Sequence, residues 1–252
     1  MLLPIRDESS VQRFPIATVA IIVANVAAWV LVQGLGNDRA VAESVCLYGL
    51  IPAELLGTAA IGAAFPLGDS LQCVVDGSAP YKSLLTSMFL HAGWLHLIGN
   101  LWFLWIFGDN VEDAMGSGRY LAFYLLSGLA AAAAQVISEP SSMAPMIGAS
   151  GAIGGVLGAY MRLYPGNRVE CLIVLIVFFT TVSIPAIYVL GLWFGMQVIS
   201  SLPALANDSG VAVWAHIGGF VAGLLLIGPM HRPELLRRHR AALPRRQARH
   251  RW

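Results

Sequence analysis

The stretch 145–155, P-M-I-G-A-S-G-A-I-G-G, places one hydroxyl, that of Ser150, among glycines and small apolar residues, and the chain then runs almost wholly apolar to Leu163. A segment of this composition suits the interior of a lipid bilayer. A lone serine in such a segment usually bonds the backbone of its own helix or a neighbouring helix. Ser150 therefore indicates chemistry only if other polar groups lie at the same depth.

The composition of the whole chain is that of an integral membrane protein. Of its 252 residues, 57% are apolar and 12% are charged, which is about half the charged fraction of a soluble domain. The first 15 residues lack the apolar core and cleavage site of a signal peptide, so we expect the first span to direct its own insertion.

Apolar runs close to the length that crosses a bilayer, roughly 20 residues, predict an all-α polytopic fold with six transmembrane helices. The first, third, fourth, fifth and sixth spans lie at about 16–34, 120–136, 150–164, 184–201 and 211–229. The second span starts between 89 and 93 and ends at the motif 108–113. Residues 35–87 form a long extracytoplasmic first loop. The apolar run 169–202 is too long for one span, so we expect its first part to be an interfacial or bent segment.

The basic residues set the predicted orientation. With both termini in the cytoplasm, all Lys and Arg residues except Arg39 and Lys82 lie inside, as in most membrane proteins. We expect a multi-pass protein of a prokaryotic plasma membrane, with a cytoplasmic segment at 1–15, a six-helix domain at 16–230 and a basic cytoplasmic tail at 231–252. The tail favours an anchor at anionic lipid over nucleic-acid binding.

Strongly polar side chains are costly inside a bilayer and are usually functional. Here they cluster in the outer halves of the second, fourth and sixth spans, as His91, His96, Asn100, Ser150 and His216. At about 1.5 Å per residue, these groups lie at comparable depth below the outer surface. Because the non-helical backbone before Ser150 is tolerated at that depth only beside protein or water, we expect a watery cavity that opens outward.

Glycine spacing predicts which helices meet. Glycines follow Ser150 at i+4 and i+8, and Gly219 and Gly223 follow His216 at i+3 and i+7. Small residues at such spacing let helix backbones approach closely. If the two glycine faces pack together, the Ser150 hydroxyl comes within hydrogen-bond reach of His216.

An adjacent imidazole can activate a serine hydroxyl as a nucleophile. The oxyanion that forms needs donors, and His96 and Asn100, at i and i+4 on one helix face, can supply them together with the Ser150 backbone N–H. We therefore predict a Ser150–His216 dyad.

Other polar groups of the sequence give weaker evidence for a catalytic or metal-binding role. No acid completes a triad, since we place Asp208 in a solvated loop, and we interpret Gln197 as an interhelical hydrogen bond. Histidines five residues apart, as at 91 and 96, share a helix face poorly, so we expect neither a metal nor a cofactor.

The three cysteines have no metal-binding spacing. Cys46 and Cys73 fall in the same extracytoplasmic loop, where they either form a disulfide or stay unpaired as small apolar residues.

Four motifs in order resemble the rhomboid family of intramembrane serine proteases: H-A-G-W-L-H-L-I-G-N at 91–100, F-G-D-N-V-E-D at 107–113, G-A-S-G-A-I-G at 148–154 and A-H-I-G-G-F-V-A-G at 215–223. The resemblance covers about residues 50–229. It implies a six-helix core whose fifth helix acts as a lateral gate. It also implies substrates that are single-pass membrane proteins, cleaved near the outer end of their helix.

The same resemblance assigns roles to the motif residues. Ser150 would be the nucleophile, His216 the general base and acid, and His96 and Asn100 the oxyanion donors. The supporting residues would be His91, Gly148, Gly151, Gly219 and Gly223. Two features depart from some members: the first loop has no Trp-Arg pair, and Gly154 stands where an aromatic residue can pack on the histidine.

Two other classes of function compete with a protease. A non-catalytic relative would bind membrane helices, but such proteins typically lack the serine or the histidine. A transporter would need polar groups through the whole membrane and is favoured by inverted repeats, and neither feature is present in the sequence.

Overall fold

Ten α-helices and five short strands occur in residues 2–9, 11–67, 71–75, 77, 81–175, 178–202 and 212–242, the parts of the chain that the computed structural model describes. Six of the helices are apolar and correspond to the predicted spans: α1 (Ile16–Leu31), α5 (Trp94–Met115), α6 (Ser117–Ser138), α7 (Ser150–Leu163), α8 (Ala186–Ser200) and α9 (Val213–Met230).

Two of these helices, α6 and α9, are each long and apolar enough to cross a membrane on their own. Helix α5 is long and apolar enough as well if it is counted together with the segment Ser83–Phe89, although the two are bent by 93° relative to each other. The count of six spans stays a prediction. Helix α5 also continues to Met115, so the acidic motif at 108–113 lies within its last turns and not beyond its end.

Helix α7 lies at the centre of the helical core. Every residue from 151 to 160 is buried, which is the pattern of a helix surrounded on all sides. It packs against α5, α6 and α9. Ser150 is its first residue, so the hydroxyl stands at the end of the most enclosed element of the fold.

The all-α expectation was wrong for the run that precedes α8. Strands β4 (Arg168–Leu175) and β5 (Phe178–Pro185) form an antiparallel hairpin, and β1 (Leu2–Asp7) pairs with β4 on its other side. The run is rich in valine, isoleucine and threonine, whose branched side chains favour strands over helices. The segment predicted to be interfacial or bent is therefore mainly a sheet, and residues of the predicted N-terminal segment belong to it.

The long first loop has structure of its own. It contains α2 (Asp38–Tyr48), α3 (Pro52–Leu55), the hairpin of β2 (Ala64–Leu67) and β3 (Leu71–Val74), and α4 (Ser83–Thr86). A disulfide between Cys46 and Cys73, with a Cα–Cα distance of 5.4 Å, joins α2 to β3.

The predicted tail begins with α10 (Pro233–Ala242), which packs against the end of α5. His239 of α10 is fully buried, and its Nδ1 lies 2.8 Å from an Asp113 carboxylate oxygen. Residues 243–252, the rest of the predicted tail, and Asp208 lie outside the described residues.

Candidate active site

The first turn of α7 and the first turn of α9 bring a hydroxyl and an imidazole together. His216 Nε2 lies 2.8 Å from Ser150 Oγ, a normal hydrogen-bond distance. Both residues are half-buried, so the pair is held by the protein but is not sealed from small molecules. A hydroxyl within hydrogen-bond distance of an imidazole is the arrangement in which a serine can become a nucleophile.

The other ring nitrogen of His216 is bonded to helix α8. His216 Nδ1 lies 2.9 Å from Gln197 Oε1. An amide oxygen only accepts hydrogen bonds, so Nδ1 carries the proton. Nε2 then has a free lone pair directed at the Ser150 hydroxyl, which is the tautomer that a general base requires.

Glycines bring α7 and α9 into close contact. A Cβ on Gly219 would overlap the carbonyl of Gly151, and a Cβ on Gly223 would overlap the carbonyl of Gly155. Any larger residue would push the two helices apart. The glycines therefore set the separation that places Ser150 beside His216.

Gly154 faces the same helix. A Cβ there would come 3.1 Å from the His216 carbonyl oxygen, so a side chain at this position would press on the first turn of α9. Trp193 of α8 lies against the imidazole instead, with ring centroids 5.9 Å apart and planes tilted by 40°. The packing partner of the histidine thus comes from a different helix.

His96, in the first turn of α5, lies near Ser150 across Gly148. Its Nδ1 accepts a 3.2 Å hydrogen bond from the Ala92 backbone N–H, so in the neutral ring Nε2 carries the proton. A Cβ added to Gly148 would lie 2.8 Å from His96 Nε2 and 3.5 Å from Ser150 Oγ. The space beside Gly148 is therefore bordered by the serine oxygen and by a ring N–H donor.

Asn100 is buried, and its Nδ2 donates a 2.9 Å hydrogen bond to the His96 carbonyl of its own helix. Among the described residues, no hydrogen bond joins the Asn100 amide to Ser150. Because Nδ2 has a second N–H, the predicted role of Asn100 as an oxyanion donor stays a prediction.

His91 is fully buried and lies edge-on to His96, with ring centroids 5.0 Å apart. Its backbone is held on both sides by one amide: Gln33 Nε2 donates to the His91 carbonyl at 2.8 Å, and the His91 N–H donates to Gln33 Oε1 at 2.9 Å. Gln33 follows α1 and is itself buried, so it anchors the loop before α5 to the end of the first helix.

Sequence reasoning missed the roles of Gln33 and Trp193 and understated that of Gln197. Nothing in the sequence indicated Gln33, since a glutamine just beyond a helix end is common. Gln197 was interpreted only as an interhelical hydrogen bond, although the four-residue spacing of Trp193 and Gln197 places them on one helix face.

Comparison with known proteins gives a family match over most of the chain. A rhomboid domain is recognised at residues 79–233. Rhomboid protease GluP of Bacillus subtilis is 35% identical over 153 residues, covering 60% of this chain and 26% of that protein. RHOMBOID-like protein 5 of Arabidopsis thaliana is 32% identical over 150 residues, covering 57% of this chain and 42% of the relative.

A mitochondrial relative, Rhomboid protein 1 of Saccharomyces cerevisiae, is 30% identical over 155 residues, covering 57% of this chain and 40% of its own length. The chain thus matches less than half the length of each of these three relatives. Since the recognised domain covers more than half of this chain and includes Ser150 and His216, the chain belongs to the rhomboid family of integral membrane proteins.

Proposed function

We propose that the protein is an intramembrane serine endopeptidase that cleaves single-pass membrane proteins near the outer end of their transmembrane helix. The observation that carries the proposal is the 2.8 Å contact between Ser150 Oγ and His216 Nε2. The tautomer that Gln197 Oε1 imposes on the ring supports it, since a histidine protonated at Nε2 could not take the serine proton.

The reaction follows from the positions of these groups. His216 Nε2 removes the Ser150 proton as Oγ attacks the scissile carbonyl carbon. The His96 Nε2–H, the Ser150 backbone N–H and the Asn100 amide stabilise the oxyanion. His216 then protonates the leaving amine, and a water molecule activated by the same nitrogen hydrolyses the acyl-enzyme. The chemistry requires no metal or cofactor.

The membrane setting is part of the proposal. The Lys and Arg residues gathered on the side of the two chain termini favour cytoplasmic termini in a plasma membrane. In this orientation the dyad lies below the outer surface, in a cavity that opens outward. A substrate helix would enter from the bilayer and present its outer end to Ser150. Helix α8, whose buried side chains lie only near its inner end, is the element that a lateral gate would use.

Cleavage of a model single-pass protein in reconstituted vesicles tests the function. Ser150→Ala should abolish cleavage, while circular dichroism and thermal unfolding stay those of the unchanged protein because the removed oxygen lies at a half-buried helix end. Normal cleavage by Ser150→Ala would contradict the dyad. Binding of the substrate without cleavage by the unchanged protein would instead favour the non-catalytic member that binds membrane helices.

A further inference from the structure

Helix α8 is attached to the rest of the fold unevenly. Its buried residues, Ala186, Val189 and Leu190, all lie in its first half. In the second half Met196 and Ile199 are about half exposed, and a Cβ on Gly195 would meet no atom within 4 Å. The outer half of the helix is therefore held by few contacts, and two of those contacts are with His216.

Those two contacts come from one face of α8. Trp193 and Gln197 are four residues apart, so their side chains point the same way. Trp193 packs against the imidazole ring, and it continues to Phe220 one turn further along α9, at a ring distance of 6.0 Å. Gln197 bonds the Nδ1 edge of the same ring. The ring of the base is thus fixed in plane and in tautomer by a helix that carries neither member of the dyad.

We propose that α8 supplies positioning residues for catalysis: Gln197 holds His216 in the Nδ1–H tautomer, and Trp193 holds the plane of its ring. This inference rests on the proposed protease function. In the reaction the Ser150 proton moves to Nε2, and the Nδ1 proton stays on the ring. The amide oxygen of Gln197 is neutral and accepts a hydrogen bond without taking the proton. Unlike the carboxylate of a Ser–His–Asp triad, it adds no negative charge to stabilise the positively charged imidazolium.

The geometry explains why an amide suffices at this place. A neutral imidazole in a half-buried site can exchange between two tautomers, and only one of them is a base toward Ser150. The carbonyl oxygen of Gln197 selects that tautomer without placing a carboxylate in a membrane helix, where a charge is costly.

The test compares Gln197→Met, which removes the acceptor and keeps an unbranched chain of similar length, with Gln197→Glu, which keeps an oxygen acceptor. Ile199→Met, on the same helix and about half exposed, is the matched control. We expect Gln197→Met to lower kcat about tenfold with KM unchanged, which is the scale of one neutral hydrogen bond. Gln197→Glu should recover most of kcat, and Ile199→Met should behave as the unchanged protein.

A spectroscopic readout separates positioning from general stability. The chain has six histidines, so ¹⁵N-histidine labelling with His216→Ala for assignment gives a tractable spectrum. We expect His216 to be protonated at Nδ1 in the unchanged protein and to become a mixture of tautomers in Gln197→Met.

Two results would overturn the inference: an active protein whose kcat does not change in Gln197→Met, or a His216 ring protonated at Nε2 in the unchanged protein. Failure of the protease function looks different. In that case the unchanged protein does not cleave, although the tautomer still responds to Gln197→Met.

Discussion

Gly148 shows how one backbone position shapes the site. Its φ of +120° is a conformation that residues with a Cβ rarely adopt. Its Cα also lies against the His96 ring, so that an added Cβ would come 2.8 Å from Nε2. Its N–H donates a 2.8 Å hydrogen bond to the Ser87 carbonyl. The residue thus ties the loop before α7 to the turn before α5, and it leaves room for the His96 ring, which we propose as an oxyanion donor.

We expect Gly148→Ala to displace His96 and lower kcat by about 10²-fold, the usual effect of losing one oxyanion donor. The measurement is steady-state cleavage of a model substrate by the purified variant. Gly62→Ala is the matched control, because Gly62 also has a positive φ, +88°, but has no atom within 4 Å of an added Cβ. If both variants lose activity equally, backbone strain and not the His96 contact is responsible.

At the scale of single residues, the contact between Ser150 and His216 was predictable from the sequence, and the contacts that support it were not. Ser150, His96 and His216 are conspicuous because polar groups are rare in apolar runs of this chain. The pairings of Gln33 with the His91 backbone and of Gln197 with His216 depend on how four separate segments are arranged in space. Sequence spacing on one helix carries no information about which partner a glutamine finds on another.

At the scale of elements, the packing of α7 against α9 matters most for the site, because the separation of these helices sets the distance between Ser150 and His216. The contact uses glycines on both helices, with Gly151 opposite Gly219 and Gly155 opposite Gly223. The spacing of glycines in α9 predicted this close approach from sequence. On α7, Gly151 and Gly155, at i+1 and i+5 from Ser150, lie opposite these two glycines. The predicted i+4 and i+8 positions, Gly154 and Gly158, also face α9, against the backbone of His216 and Phe220.

Gly219→Ala should force α7 and α9 apart, since its Cβ would overlap the backbone of Gly151. We expect a loss of stability of about 1–3 kcal/mol from overpacking, together with a large loss of cleavage activity. Thermal unfolding and cleavage, measured in the same detergent, give the two effects. Gly118→Ala on α6, where an added Cβ would meet no atom within 4 Å, should change neither, and a Gly219→Ala protein of normal stability and activity would contradict this account of the helix contact.

The sheet of β1, β4 and β5 is the element that sequence reasoning missed. Hydropathy alone does not distinguish a buried helix from two apolar strands, and the run 169–202 was divided only by its length and by Pro185. The decisive partner, β1, lies more than 150 residues away in sequence and pairs with β4 from Leu2 to Asp7. Long-range pairing of this kind leaves no local signal.

At the scale of the whole molecule, hydrogen bonds hold the first helix to the core, and a disulfide stabilises the first loop. On the side of Arg13, the acidic end of α5 fixes the start of α1: Glu112 accepts hydrogen bonds from the backbone N–H groups of Ala17 and Thr18 at 3.0 and 2.8 Å. Such a carboxylate at a helix N-terminus is favourable. The first loop is instead stabilised covalently, since the Cys46–Cys73 disulfide joins its helix α2 to its strand β3.

The orientation proposed for the membrane places that disulfide on the oxidising side, where such bonds persist. Reduction should lower the stability of the protein by roughly 3 kcal/mol, as expected for a loop closed over 27 residues. Thermal unfolding with and without reductant measures the effect, and Cys46→Ser should unfold at the reduced midpoint under both conditions. Cys171→Ala, which removes the buried free thiol, should keep the full response to reductant. Free thiols at both Cys46 and Cys73 in protein purified without reductant would contradict the bond.

The most direct test of the central claim is labelling by a fluorophosphonate, which reacts with activated serines, followed by mass spectrometry to locate the adduct. The pairing of Ser150 with His216 predicts an adduct on Ser150 in the unchanged protein and none above background in His216→Ala, because the hydroxyl is a poor nucleophile without the imidazole. Equal labelling of Ser150 in His216→Ala, or an adduct only at another serine, would contradict it.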